Sequence, residues 1–193
     1  MLGLKLATDP RWANMVMEHL EDILTDHAYC EQKAASTCIS LIQTYPEKTF
    51  MVEKLAPVVH EEWSHFRMVL EELKKRNMSL GVQRKDEYVV ALQHFAKKGG
   101  RAEDRFMDKL LMSALIEARS CERFRLLSEH LEDDYFRNFY RKLMIAEAQH
   151  YTLFLEIANA YFPKQKVKER WEQWLTFENS LMEEWTLRGD RVH

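Results

Sequence analysis

Apolar residues recur at three- and four-residue intervals through most of this chain, the period of an α-helix buried on one face. From Asp26 to Tyr45 the stripe is Ala34, Ala35, Cys38, Leu41 and Ile42. A second run from about 47 to 77 carries Val59, Phe66, Val69, Leu70 and Leu73, with Pro57 inside it. An interior proline removes a hydrogen bond, so this run either divides at Pro57 or bends there. A third run over about 102–131 places Leu110, Ala114, Cys121, Phe124 and either Leu127 or Ser128 inward. A fourth over about 133–161 does the same with Phe136, Tyr140, Leu143, Phe154 and Ala158, and Phe162-Pro163 stops it. Shorter helices are expected at about 10–24, where Asp9-Pro10 suits a helix start, at about 86–97, and at about 168–187, with Trp171, Trp174, Phe177 and Trp185. The polar end, 188–193, is expected to fray.

Six polar residues interrupt these apolar stripes. Glu31, Glu62 with His65, Glu117, and Glu147 with His150 all fall on the inner faces. Two of the segments read Glu-x-x-His, and residues three apart on a helix share a face. Glu31 and Glu62 are 31 residues apart, Glu117 and Glu147 are 30 apart, and the two Glu-x-x-His segments are 85 apart. Turn signals at Tyr45-Pro46-Glu47 and Glu132-Asp133-Asp134 sit midway in each pair. At about 1.5 Å rise per residue, the two acids of each hairpin therefore reach the same depth. A buried carboxylate without a counter-charge is costly. Four at matched depth with two imidazoles call for cations, and a single glutamate from each of two helices plus Glu-x-x-His from each of two others is the ligand set of a di-metal four-helix bundle. Mixed carboxylate and imidazole donors suit iron or manganese. The expected architecture is one all-α, ferritin-like domain over 1–193, with 78–101 as the long crossover and extra flanking helices.

Composition narrows the class. The chain has 193 residues, 46% hydrophobic, with 5 Gly and 4 Pro, which favours long helices. The formal charge is −3. Setting aside four ligand glutamates brings it near balance, so charge neither supports nor excludes a nucleic-acid partner. Cys30, Cys38 and Cys121 include no C-x-x-C, which argues against a disulfide scaffold, a zinc ribbon or a rubredoxin-type centre. No apolar run has the length of a membrane span, and the first residues lack a secretory pattern, so a cytoplasmic protein is expected. His19, His27, His60, His94, His130 and His193 have no comparable company and read as surface or local hydrogen-bonding residues. Glu122 is the nearest rival to Glu117, but it lies about 140° farther round the helix. His60-Glu61-Glu62-Trp63-Ser64 fails as a zincin motif, because Ser64 stands where a second histidine is needed.

The wording around the six residues resembles the MiaE-type tRNA hydroxylases. The segments are Asp26-His27-Ala28-Tyr29-Cys30-Glu31-Gln32-Lys33-Ala34-Ala35-Ser36, Glu61-Glu62-Trp63-Ser64-His65-Phe66, Ala114-Leu115-Ile116-Glu117-Ala118-Arg119-Ser120-Cys121-Glu122-Arg123-Phe124 and Glu147-Ala148-Gln149-His150-Tyr151. The resemblance implies a nonhaem di-iron monooxygenase that uses dioxygen and two electrons to hydroxylate the isopentenyl group of 2-methylthio-isopentenyladenosine at position 37 of tRNA. It implies Glu31, Glu62, His65, Glu117, Glu147 and His150 as ligands of two irons, the tRNA anticodon arm as partner, and an external reductase or ferredoxin-type donor, since no flavin or iron–sulfur motif is present. A monomer or small oligomer is expected. Another di-metal activity, such as manganese catalase or rubrerythrin-like peroxide scavenging, and an iron-binding protein are the alternatives. Candidate phosphate contacts are Lys74-Lys75-Arg76, Lys97, Lys98 and Arg101, and Lys164, Lys166 and Lys168.

Overall fold

The helical periodicity is realised as seven helices, with no strand, among the residues the computed structural model describes, 2–186 and 188–193. They are α1 Arg11–Glu18, α2 Leu20–Thr44, α3 Thr49–Lys75, α4 Glu87–Phe95, α5 Ala102–His130, α6 Asp134–Tyr161 and α7 Lys164–Glu184. The expected end of the last helix, Leu187, lies outside the described residues, as does Met1. The chain divides into two units: Asn14–Lys85 with Arg188–Val192, and Met1–Ala13 with Asp86–Leu187 and His193.

In the first unit α2 and α3 form a hairpin across Tyr45–Lys48, packed through Leu24, Ala28, Ala35, Cys38 and Leu41 on one helix and Met51, Leu55, Val58, Val69 and Leu73 on the other. α3 is continuous through Pro57, which lies exposed. It ends at Lys75, and two residues on, Asn77, with a φ of 56°, is a left-handed helix stop, with Met78 N donating to Leu73 O at 2.9 Å.

Two expectations fail here for related reasons. The break before α2 falls at His19 (φ −126°, ψ 35°), not near Thr25-Asp26. Those two residues resemble a helix start, yet their side chains serve tertiary bonds from within α2. Thr25 Oγ1 accepts from Gly81 N at 3.2 Å, and Asp26 accepts from Arg191 Nη1 and Val192 N, both at 2.8 Å. The polar end is therefore docked, not frayed. Val192 is buried, Arg84 pairs with Asp190 at 2.7 Å, and Gly189 passes so close to Met15 that a Cβ would meet its backbone at 2.5 Å.

In the second unit α5 and α6 form the other hairpin, and α4 and α7 pack on α5. Asp133 caps α6, its Oδ1 accepting from Tyr135 N at 2.8 Å, and Asp86 caps α4 by accepting from Val89 N at 3.0 Å. The single inward stripe read for α5 understates its burial: 19 of its 29 residues are buried. The additional face is charged and paired. Asp108 accepts two 2.7 Å bonds from Arg170, and Arg119 donates to Glu178 at 2.9 and 2.6 Å. α7 begins at Lys164, four residues earlier than expected, directly after Pro163.

Candidate metal centre

In the α2–α3 unit, Glu31 comes from α2, and Glu62 and His65 from successive turns of α3. Their exposures are 3%, 1% and 7%. His65 Nδ1 lies 3.5 Å from Glu31 Oε2 and 3.4 Å from Glu62 Oε2. One ligand atom from each of the three lies within 4.8 Å of the others, close enough for one cation. A fourth residue joins them. His27 is fully buried one turn before Glu31, with Nε2 at 2.6 Å from Glu31 Oε1. From sequence alone His27 reads as one more surface or local hydrogen-bonding histidine; its i, i+4 spacing to Glu31 is the signal that ties it to the ligand face.

In the α5–α6 unit, Glu117, Glu147 and His150 are likewise buried and likewise offer atoms within 4.8 Å of one another. His150 Nδ1 stands 3.7 Å from Glu147 Oε2, beyond hydrogen-bond length. Glu147 Oε2 is buried with no hydrogen-bond partner among the described residues. A carboxylate oxygen left so inside a protein is costly, and a cation removes that cost. Glu122 is occupied elsewhere: it accepts from Thr8 N at 3.0 Å, from Thr8 Oγ1 at 2.6 Å and from Arg119 Nη1 at 3.2 Å.

Two buried cysteines lie near these acids. Burial, reinforced by Glu62, pushes the Cys38 thiol up to about 12. Burial and then Glu147 push Cys121 up to about 11, and its Sγ donates to Met144 O at 3.3 Å. Both are protonated thiols at neutral pH and poor nucleophiles. Of the remaining histidines, His19, His60, His94 and His130 are exposed. His193 stacks on Tyr88 with centroids 5.2 Å apart and meets Ser120 Oγ at 2.9 Å. Each unit thus supplies two buried carboxylates and one imidazole, donor types that suit a metal ion.

A family model described as tRNA-(MS[2]IO[6]A)-hydroxylase (MiaE) matches residues 2–193. The chain belongs to the MiaE family. It is 34% identical over 154 residues to the tRNA 2-(methylsulfanyl)-N(6)-isopentenyladenosine(37) hydroxylase of Pseudomonas putida, covering 80% of this chain and 74% of that one. It is 28% identical to the protein of the same name from Salmonella typhimurium, covering 73% of this chain and 68% of the relative. Among solved structures it is similar to "Protein 43 with aldehyde deformylating oxygenase activity from Synechococcus", with a TM-score of 0.91, 32% identity, and coverage of 98% and 94%. The fold is thus all-α and ferritin-like, as the six-residue pattern predicts, and this MiaE-family chain is an enzyme of the hydroxylase class. No helix among the described residues is long and apolar enough to cross a membrane.

Proposed function

We propose that this MiaE-family enzyme hydroxylates the isopentenyl group of 2-methylthio-N6-isopentenyladenosine at position 37 of tRNA, in the cytoplasm. The observation that carries this reading is the family match over residues 2–193 together with a buried acid–imidazole set in each helical hairpin. The reaction balances as C–H plus O2, two electrons and two protons, giving C–OH plus water. Two irons held by this chain supply dioxygen activation. Glu31, Glu62 and His65 of one hairpin and Glu117, Glu147 and His150 of the other would hold the iron.

The chain's own work is binding, orientation and exclusion of water. All six side chains are buried, so they would meet the charge of divalent ions in a low-dielectric interior where charge neutralisation is strong. His27 holds Glu31 by one oxygen and leaves the other for an ion, the usual service of a residue behind a ligand. The electrons come from a separate reductase or ferredoxin-type donor, and the enzyme works as a monomer or small oligomer on the anticodon arm.

Mass spectrometry of tRNA nucleosides from cells with and without the gene tests the reading. A gain of one oxygen on the prenyl-adenosine is expected, and its absence with iron-replete protein overturns the proposal. Oxygen release from peroxide at high turnover without an electron donor favours a catalase-like activity instead.

A further inference from the structure

Three basic segments stand out in the sequence, and the structure sorts them. Lys74-Lys75-Arg76 is largely compensated: the buried Glu72 accepts from Lys75 at 2.8 Å and pairs with Arg76. The other two segments converge. Asp104, in the first turn of α5, binds Lys166 of α7 at 2.6 Å and Arg101 at 3.4 Å. One turn later Asp108 binds Arg170 of α7 and the backbone N of Lys97, the latter at 2.8 Å. Stacking of Phe95 on Phe177, with centroids 4.3 Å apart, joins the end of α4 to α7. Residues 62 or more apart in sequence thereby form one surface.

That surface keeps a positive excess. Segments 97–105 and 164–169 hold seven basic residues against three acidic ones. Asp104 and Asp108 are turned to the contacts that assemble the surface, and the Lys166 bond holds the Asp104 carboxyl below its ordinary pKa. Lys97, Lys98, Lys164 and Lys168 are exposed, and none has a side-chain partner among the described residues. Between them the tip of the loop is open: nothing lies within 4 Å of a Cβ placed at Gly99 or Gly100, and Gly100 has φ +82°. Arg105 Nη1 donates to Gly100 O at 2.7 Å and holds that tip from behind.

We infer that Lys97, Lys98, Lys164 and Lys168 track the phosphate backbone of the tRNA, an assignment that rests on the tRNA reading above. Arg101 and Glu117 are sixteen residues apart at and along α5, about 24 Å at helical rise. The surface therefore grips backbone beside the modified loop and not the reacting base. Point-charge lysines on an open loop and a helix start suit phosphate positioning, which fixes register without reading sequence.

The test uses the full chain, loaded with iron, and tRNA carrying the prenylated adenosine. Binding is followed by fluorescence anisotropy from 50 to about 300 mM salt, a range in which phosphate pairing dominates affinity. Replacing all four lysines by Glu should weaken binding more than about 30-fold and flatten the log–log salt slope by roughly one for each phosphate no longer paired. KM for tRNA should rise with kcat at saturation and iron content unchanged. The four Lys→Gln replacements should show the same change in slope with a smaller loss of affinity, which covers the case in which charge reversal disturbs folding. Lys74→Glu should change affinity less than about 3-fold. Wild-type protein that hydroxylates tRNA while both fourfold variants keep its affinity and slope overturns this surface alone. Unchanged tRNA affinity with slowed reduction by an acidic ferredoxin assigns the face to the electron donor and also overturns it. A wild-type chain that neither binds nor hydroxylates tRNA overturns the functional reading and this surface with it.

Discussion

The two hairpins carry the same acid and imidazole pattern, but they are braced differently. In α2–α3 the outer face meets solvent, with Trp63 49% and Ile39 42% exposed. Its brace is one turn of α2: Thr25 fastens the loop after α3, Asp26 fastens the chain's end, and His27 fastens Glu31. In α5–α6 the brace lies on the back of α5. Arg119 is fully buried among Glu178, Glu122, Thr8 and the carbonyl of Leu6. Burial works against its charge, but Glu178 and Glu122 outweigh that and hold its pKa above the ordinary arginine value. Beside it Arg123, buried and repelled by Arg119, is lowered to about 10 and lies over the Trp12 ring at 4.9 Å. The ligand pattern is repeated while its support is not. Loss of His27 behind Glu31 should therefore appear chiefly in metal affinity, and loss of the charged back of α5 chiefly in stability.

The largest effect separates ligand from brace within α5. Glu117→Ala should lose most of the iron and all hydroxylation. Glu122→Ala should keep about two irons per chain but lose on the order of 3–5 kcal/mol of stability, because it removes one of the two carboxylates that offset the buried Arg119 and Arg123 guanidiniums. Iron analysis and urea unfolding on both variants decide this. If Glu122→Ala empties the site at full stability, the two glutamates have been assigned the wrong way round.

Next comes Arg119→Met, which leaves Glu178 and Glu122 buried without their cation. It should cost about 3–5 kcal/mol by the same argument, with metal content retained in the folded fraction. A melting temperature within a degree of wild type would mean that the charged back of α5 is not what braces this hairpin.

The third effect is smaller and belongs to α2–α3. His27→Ala should weaken metal binding about 10- to 100-fold, the usual cost of removing a residue behind a ligand, with little change in metal-free stability. Anaerobic iron titration measures it, and His27→Gln should recover part of the loss by keeping a hydrogen bond to Glu31. Equal iron affinity in all three proteins would remove His27 from the metal centre.

The parts of this molecule legible from sequence are those in which one residue's role follows from periodicity. The six buried acids and imidazoles lie on apolar stripes at fixed spacing, and the four long helices follow those stripes to within a few residues at most ends. The charged back of α5 is not legible in that way. Arg119, Glu122 and Arg123 look solvated until Glu178 and Thr8, distant in sequence, are brought to them. Thr25 and Asp26 mislead for the same reason, since residues that favour helix starts are equally suited to long-range bonds. The docked end is hidden because its anchor is a backbone fit at Gly189, and a lone glycine gives no periodic signal.

That docked end supplies the smallest and most local prediction. Gly189→Ala places a methyl 2.5 Å from the Met15 carbonyl carbon and oxygen. Backbone cannot yield as a side chain can, so the substitution should cost about 1–3 kcal/mol, the range for overpacking. Asp190 gives the same segment a pH dependence. Hydrogen bonding from Arg188, helped by Arg84, lowers its carboxyl to about 2. A depressed carboxyl contributes stability that is fully present above its unfolded value near 4 and is lost as pH falls toward about 2. Wild type should therefore melt above Asp190→Asn at pH 6, and the gap should close as the pH approaches 2. A gap that persists unchanged at low pH would show that Asp190 holds the end by shape and not by charge. His27→Ala in the same series should leave the gap untouched, because its bond to Glu31 lies one turn beyond the Asp26 anchor.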